Sequence, residues 1–276
     1  FGRTQQLSYS LYFSDQALSK GLHEYSYNAG AMRRGYGVES NRYGPAAFTA
    51  FHRYGFSDAI TAGMRAEGTR HLLNAGPLAT VVLGNAGVVS MALAGSTIAG
   101  HDGASGLASY TYQTKTWSAG FSLRRDWGEY ASLGDPPAVT NRKLEGSIYA
   151  SYSLPRGAIS LSHSVLTTHT GVTPSVATSA RPFHVATFQD RRVSTVSYGT
   201  PLFSGRATLT ASVSQVREAS TTRNEAFVGL IVFLEQNYSM AANYRAEKNA
   251  NSQSIQLSKS QPIGEGLGFS VDADRN

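Results

Sequence analysis

The sequence predicts an all-β fold, a transmembrane antiparallel β-barrel segment of roughly fourteen strands from a larger barrel. Three observations support this prediction. Apolar and polar residues alternate with a period of two along much of the chain. The alternating runs are commonly about ten residues long, which suits a tilted strand that crosses a bilayer. Only 15% of the 276 residues are charged, whereas ordinary soluble domains contain about a quarter.

The clearest strand pair begins at Leu144. The run LEGSIYASYSL at 144–154 alternates apolar with polar residues, and AISLSHSV at 158–165 does the same. Pro155 to Gly157 (PRG) provide a turn between them, so this stretch predicts a hairpin with one apolar and one hydroxyl-rich face. Similar alternation follows Trp117 and Ala207.

Turn signals and irregular stretches separate these runs. The predicted turns are GFSD at 55–58, HDGASG at 101–106, GDPP at 134–137 and SG at 204–205. Residues 128–143 and 167–190 lack alternation and are predicted to be long loops. Short turns at one end and longer loops at the other are typical of an outer-membrane barrel.

The stretch LATVVLGNAGVVSMALAG at 78–95 contains no charged residue and is long enough to cross a bilayer as a helix. Pro77 and several glycines argue against one continuous helix, and the sequence Asn85-Ala86-Gly87 provides a turn at its centre. Because each half alternates, we favour two strands over a helix. The prediction is a lipid-facing hairpin whose outer side carries Leu83, Val89, Met91 and Leu93.

The sequence lacks the patterns that carry chemistry. It contains no cysteine, which excludes disulfides, thiolate metal sites and a cysteine nucleophile. It has no Gly-x-Ser-x-Gly elbow, P-loop, zinc-protease helix or dinucleotide-binding glycine pattern. We do not expect His163 and His169, at a strand end, to form a metal-ligand pair. We therefore expect no enzymatic activity and no cofactor.

The charged residues are dispersed along the chain. Asp126, Glu129 and Asp135 fall near a predicted loop, where we expect solvated charges rather than a catalytic carboxylate pair. The net charge is +6, but the basic residues do not cluster, so we expect no nucleic-acid partner. The basic pairs are interpreted as solvated charges at strand or loop ends: Arg33-Arg34, Arg124-Arg125 and Arg191-Arg192.

Two phrases occur in order near the start of the chain. The first is GLHEYSYNAGAMR at 21–33 and the second is RYGFSD at 53–58. Together they resemble fimbrial outer-membrane ushers, at the point where the chain of that family leaves its plug domain and re-enters the barrel. The stretch LGNAGVVSMALAGS at 83–96 also resembles an usher hairpin. In the first phrase the matching residues include Gly21, Leu22, Tyr25, Ser26, Gly30 and Arg33.

The resemblance implies a pore of the chaperone–usher pathway in the bacterial outer membrane. Such a pore assembles and secretes pilus subunits that a periplasmic chaperone delivers. Residues 1–20 would end the plug domain, and residues 21–276 would form part of the barrel, lipid-facing outside and hydroxyl-lined inside. The implied partners are pilus subunits and chaperone, through the full-length protein, and outer-membrane lipid.

The two ends of the sequence also suggest part of a longer protein, since it begins with Phe1 and ends on the polar run VDADRN.

Two other functional classes remain open at this stage. A general diffusion porin would share the alternation but does not predict the two usher-like phrases. A secreted all-β adhesin, sugar-binding domain or carbohydrate-active enzyme would also alternate, but it would need a hydrophobic interior and functional loops. Only the predicted loops at 128–143 and 167–190 offer room for such a site.

Overall fold

The computed structural model describes residues 16–33, 41–133, 142–168, 190–218, 221–235, 237–248, 250–261 and 267–275. Within these ranges the chain forms fifteen β-strands and two single-turn 3-10 helices. All the strands lie in one antiparallel sheet in sequence order, each beside the next. The all-β antiparallel prediction is therefore confirmed, with fifteen strands in place of roughly fourteen.

The strands range from seven residues in β15 to fifteen in β2. Their bounds are β1 His23–Arg33, β2 Tyr43–Ser57, β3 Ile60–Thr69, β4 Leu72–Val82, β5 Val88–Ile98, β6 His101–Gln113, β7 Trp117–Gly128, β8 Arg142–Leu154, β9 Gly157–Thr168, β10 Arg191–Leu202, β11 Ala207–Glu218, β12 Thr221–Phe233, β13 Tyr238–Glu247, β14 Ala250–Lys259 and β15 Phe269–Arg275. The 3-10 turns are Gly84–Ala86 and Phe203–Gly205. Within these described ranges, no helix is long and apolar enough to cross a membrane.

The chain divides into two compact units. The first comprises Phe1–Tyr112, Phe121–Gly146 and Leu166–Gln189, and the second comprises Gln113–Gly120, Ser147–Val165 and Asp190–Asn276. The first unit therefore contains β1 to β5, most of β6 and β7 and the start of β8. The second contains the rest of β8, most of β9 and all of β10 to β15.

The uncharged stretch forms the predicted hairpin. Strands β4 and β5 pair antiparallel, with Ala79 opposite Met91 and Val81 opposite Val89. One residue was misplaced: Leu83 lies in the connection after β4 and not on the strand. Its N–H donates to the carbonyl of Gly87 at 2.8 Å, which closes the turn.

The stretch HDGASG at 101–106 was wrongly predicted to be a turn. It forms the first half of β6, where Asp102 lies opposite Thr97 in the β5 ladder. The turn lies just before it, at Ala99 and Gly100, which both have positive φ, of 50° and 87°. Two such residues make the tight connection that a hairpin favours, so the ladder continues through the small residues that follow.

The other turns agree more closely with the sequence. The PRG turn falls between β8 and β9, and the SG pair at 204–205 lies in the second 3-10 turn. In GFSD, β2 continues through Ser57, and the turn starts at Asp58. The GDPP stretch lies outside the described residues.

The predicted loops at 128–143 and 167–190 fall mostly outside the described residues, which omit 134–141 and 169–189. The predicted loop boundaries included residues that belong to strands. Gly128 ends β7, β8 begins at Arg142, and β9 continues to Thr168. Pairing with neighbouring strands extends each element beyond the alternating core that the sequence shows.

The two faces of the first unit show inverted burial. The polar face is buried, and its buried polar members are Arg53, Thr61, Arg65, Glu67, Asn74, Thr80, Ser90, Ser96, Ser105, Arg124 and Asp126. The apolar face is exposed, and its large exposed members include Ile60, Met64, Leu73, Met91, Leu93, Phe121, Leu123 and Trp127. Leu72 and Leu78 are also buried on the polar face. Soluble domains bury large apolar residues and leave most charges exposed, so the buried charges and the exposed apolar residues depart from that pattern.

The second unit also separates its faces by polarity. Hydroxyl and amide side chains pair across strands on one face, as in Thr195 with Ser214 at 2.9 Å and Ser239 with Ser258 at 2.8 Å. Large apolar residues stand exposed on the other face and include Val196, Val213, Val228 and Ile255. Exposed apolar residues on one face of a sheet indicate contact with another apolar phase or with a partner.

Candidate functional site

Residues 16–22, here called the lead-in segment, lie against β2 and β3 of the first unit. The N–H of Leu18 donates to the hydroxyl of Thr61 at 2.7 Å. The N–H of Lys20 donates to the carboxylate of Asp58 at 2.9 Å. Since Thr61 is fully buried on the polar face, these bonds hold the chain against that face immediately before β1 begins.

Gly55 permits the close approach of the lead-in segment. The N–H of Gly21 donates to the carbonyl of Gly55 at 2.8 Å, and the N–H of Gly55 donates to the carbonyl of Leu22 at 3.0 Å. A Cβ atom at position 55 would collide with the carbonyl oxygen of Ser19. Only glycine fits this contact without displacement of the backbone.

Arg53 joins the lead-in segment to β1. Its guanidinium donates to a Glu24 carboxylate oxygen at 2.9 Å and also to the backbone carbonyl of Gln16. The Arg53 side chain is 3% exposed, so the ion pair is shielded from water on the arginine side. A buried arginine needs such partners, because its unpaired charge would be costly.

A second group of buried polar side chains lies further along the polar face. Arg65 donates to the hydroxyl oxygen of Tyr130 at 2.9 Å and to the side-chain carbonyl of Asn74 at 3.3 Å. The Asn74 amide also donates to the Tyr130 hydroxyl, at 2.9 Å. Asn74 is only 1% exposed. Arg65, Asn74 and Tyr130 therefore form a closed triangle that joins β3, β4 and the chain after β7.

Residues 129–133, here called the return segment, fold back onto the polar face after β7. The amide of Asn74 donates to the carbonyl of Ala131 at 2.6 Å, and the N–H of Ala131 donates to the hydroxyl of Ser96 at 2.9 Å. The N–H of Leu133 donates to the carboxylate of Glu67 at 3.2 Å. Side chains of three strands thus satisfy the backbone groups of Ala131 and Leu133, which lie outside the strands.

Gly103 makes room for this return segment. A Cβ atom at position 103 would collide with the backbone of Tyr130. The glycine and serine content of HDGASG, which suggested a turn, therefore serves close packing inside a strand.

Asp126 is buried, which corrects the prediction of a solvated charge. Its carboxylate accepts from the Ser105 hydroxyl at 2.6 Å and from Arg124 at 3.0 Å. Arg124 also places its guanidinium 5.5 Å from the centre of the Tyr130 ring. Residues 124 and 126 share a face because strand side chains alternate, so the charges pair inside the polar face.

Other charged and histidine residues are less buried. Glu129 is largely exposed and pairs with His101 at 3.3 Å. His163 bonds the hydroxyl of Ser194 at 2.8 Å. His169, Asp135 and Arg34 lie outside the described residues. Among those that are described, no group of three or more His, Cys, Asp or Glu could hold a metal ion.

A small polar cavity of about 230 Å³ opens on the polar face over β1, β2 and β3. Its side-chain lining includes Ser26, Asn28, Thr49, Phe51, Arg65 and Glu67. The volume lies below the roughly 300–1,000 Å³ of typical ligand pockets. The arrangement therefore provides a hydrogen-bonding surface rather than a formed pocket for a small molecule.

The structure separates the usher-like residues onto two faces. Ser26 lines the polar cavity, while Tyr25 stands 63% exposed on the opposite face. Gly30 lies opposite Ala47 in the β1–β2 ladder, and Arg33 ends β1 after a register shift. Gly21 and Leu22 belong to the lead-in segment. These residues support the chain path at the start of the sheet and do not form one binding site.

Three of the four predicted hairpin residues lie on one face of β5. Val89, Met91 and Leu93 share the apolar face, and Met91 and Leu93 are 48% and 58% exposed. Whether this exposed face contacts lipid stays a prediction at this point.

The buried charges of the polar face were not predicted from the sequence. Arg65 and Glu67 follow Thr61 and Gly63 at a period of two, so their place on the polar side was readable from the alternation. No sequence pattern indicated that Tyr130 would fold back to meet them. The expected hydroxyl lining therefore needs correction in the first unit, where ion pairs accompany the hydroxyls.

Comparison with protein-family models and with curated proteins found no match. Among solved structures, the chain is similar to one described as the P pilus usher (PapC) translocation pore, with a TM-score of 0.59 and 15% sequence identity. The chain shares the fold of that pore. The match covers 94% of this chain and 51% of the other, so this chain spans about half the length of the usher structure.

Proposed function

We propose that this chain forms part of the wall of an outer-membrane usher pore, which assembles and secretes pilus subunits delivered by a periplasmic chaperone. The observation that carries the proposal is the meeting of the two usher-like phrases. Gly21 and Leu22 of the first phrase bond Gly55 of the second, and Arg53 bonds Glu24. The phrases thus serve one structural purpose, to lead the chain off the polar face and into β1.

The inverted burial supports the membrane part of the proposal. In a bilayer, the exposed apolar face contacts lipid and the polar face lines a water-filled interior. A closed or completed sheet is needed there, because open strand edges are not tolerated in lipid. The same burial suits a diffusion porin, but a porin gives no reason for a lead-in segment that starts on the polar face.

The proposed role is non-enzymatic. Many of the charges and hydroxyls of the polar face bond one another within the protein, as Arg65 does with Tyr130 and Ser105 with Asp126. Such a surface suits the passage of a folded subunit without tight binding. Partners of the whole pore would be pilus subunits, their chaperone and outer-membrane lipid.

A gene deletion tests this function in the native bacterium. We expect the deletion strain to lose surface pili in electron micrographs while its small-solute uptake stays unchanged, and the plasmid-borne full-length gene to restore the pili. We also expect the product in the outer-membrane fraction. Normal piliation together with loss of small-solute uptake would contradict the proposal and support a porin.

A further inference from the structure

The apolar face of the first unit contains a groove of about 620 Å³. Small side chains of adjacent strands form its floor and larger ones form its walls; they include Ala62, Ala79 and Ala108 on the floor and Leu93, Leu123 and Trp127 on the walls. This volume is within the range of pockets that hold small organic ligands. The wall residues are about half exposed, so the groove opens to the surroundings of the sheet.

One charged residue borders this apolar groove. Of the lining residues, Arg125 alone is charged, and it is exposed on the apolar face of β7. Its guanidinium lies 5.4 Å from the centre of the Trp127 ring. Within the described part of the chain it has no ion pair, unlike Arg124 on the polar face, which pairs with Asp126.

An arginine on a lipid-facing surface is unfavourable near the bilayer centre and is tolerated towards the interfaces. A guanidinium matches the geometry of a phosphate group, with which it forms paired hydrogen bonds. A phosphate beside Arg125 would therefore compensate its charge, and an acyl chain would fill the apolar groove next to it.

We propose that this groove binds one anionic phospholipid of the surrounding bilayer, with its phosphate on Arg125 and an acyl chain in the groove. A single cation beside a single groove matches a lipid of one net negative charge, such as phosphatidylglycerol. The inference rests on the proposed function, because it requires the apolar face to lie in a membrane.

Quenching of Trp127 fluorescence by brominated lipids tests the inference. The full-length protein is placed in phosphatidylcholine vesicles that contain a minor fraction of either brominated phosphatidylglycerol or brominated phosphatidylcholine. Subtraction of the signal of a Trp127→Phe variant isolates the emission of Trp127. We expect phosphatidylglycerol to quench about two- to fivefold more effectively, the preference that one partly exposed ion pair provides.

Three variants identify the source of that preference. Both brominated lipids should quench the Trp127 fluorescence of the Arg125→Gln variant equally. Arg192→Gln is a matched change at an exposed arginine of β10, and this variant should keep the stronger quenching by phosphatidylglycerol. Ala108→Phe, which fills the groove and leaves Arg125 intact, should reduce quenching by phosphatidylglycerol.

Equal quenching of the unmodified protein by both lipids would overturn the inference and leave the membrane placement intact. Absence of quenching by either lipid would instead count against the proposed function itself. A third outcome is that neither lipid quenches Trp127 until the protein is diluted with excess lipid. This result would show that a second copy of the chain covers the groove, and it would overturn the inference.

Discussion

At the residue scale, Arg53 and Gly55 of β2 both act on the lead-in segment, one through its charge and the other through its missing side chain. Arg53 bonds the carbonyl of Gln16 and the carboxylate of Glu24. Gly55 lets the carbonyl of Ser19 approach its Cα. Arg53 and Gly55 of the phrase RYG thus have a structural role, which is to hold the lead-in segment in place.

Gly55→Ala should destabilise the protein by about 1–3 kcal/mol, since the new methyl group meets backbone and cannot be accommodated by a rotamer change. Gly30→Ala is the matched control, because a Cβ at Gly30 meets nothing within 4 Å. Urea unfolding in vesicles measures both free energies. Equal effects of the two substitutions would contradict the close packing of the lead-in segment.

At the element scale, one hydroxyl group links the return segment to two strands of the sheet. The Tyr130 hydroxyl accepts from Arg65 and Asn74, which are both buried. Backbone bonds of Ala131 and Leu133 also hold the segment on the polar face.

Tyr130→Phe should cost about 1–3 kcal/mol, because it leaves two buried donors without their shared acceptor. Tyr149→Phe, at a half-exposed tyrosine of β8, serves as the control and should be nearly neutral. The urea midpoint of each variant in vesicles gives the comparison. A neutral Tyr130→Phe substitution would mean that the return segment is held by its backbone bonds alone.

The β4–β5 hairpin carries the prediction of a lipid-facing surface at the element scale. Leu93 lies at the centre of β5 on the apolar face, and Thr97 lies on the same face near the end of the strand. If this face meets lipid, the cost of a charge depends on depth along the strand.

Leu93→Arg should therefore lower the free energy of unfolding by about 2–4 kcal/mol, as expected for a charge at the bilayer centre. Thr97→Arg should lower it by only about 0–1 kcal/mol, as expected near the interface. Reversible unfolding from vesicles measures both values. Equal losses of stability for the two substitutions would contradict the placement of this face in a bilayer.

At the scale of the whole molecule, the period-two alternation predicted the fold because it is a local property. The alternation within a single strand shows which of its residues lie on the same side of the sheet, as in the runs at 144–154 and 158–165. The hairpin at 78–95 was predictable for the same reason.

The candidate site was less predictable, because its contacts depend on the register between strands and on chain segments that leave the sheet. The sequence predicted that Asp126 is a solvated charge near a loop, but β7 places its carboxylate beside the Ser105 hydroxyl. Tyr130 reaches Arg65 from 65 positions away in sequence. Alternation carries no information about such long-range partners, so the sequence predicted a simpler polar lining than the structure has.

The central claim is that one face of this sheet meets lipid and the other meets water. The chain contains no cysteine, so single cysteines placed at 208–213 of β11 can carry a fluorescent label. In vesicles, we predict that brominated acyl chains quench the label at Leu209, Ala211 and Val213, while iodide quenches it at Thr208, Thr210 and Ser212. Loss of this alternation, or absence of lipid quenching at Val213, would contradict the claim.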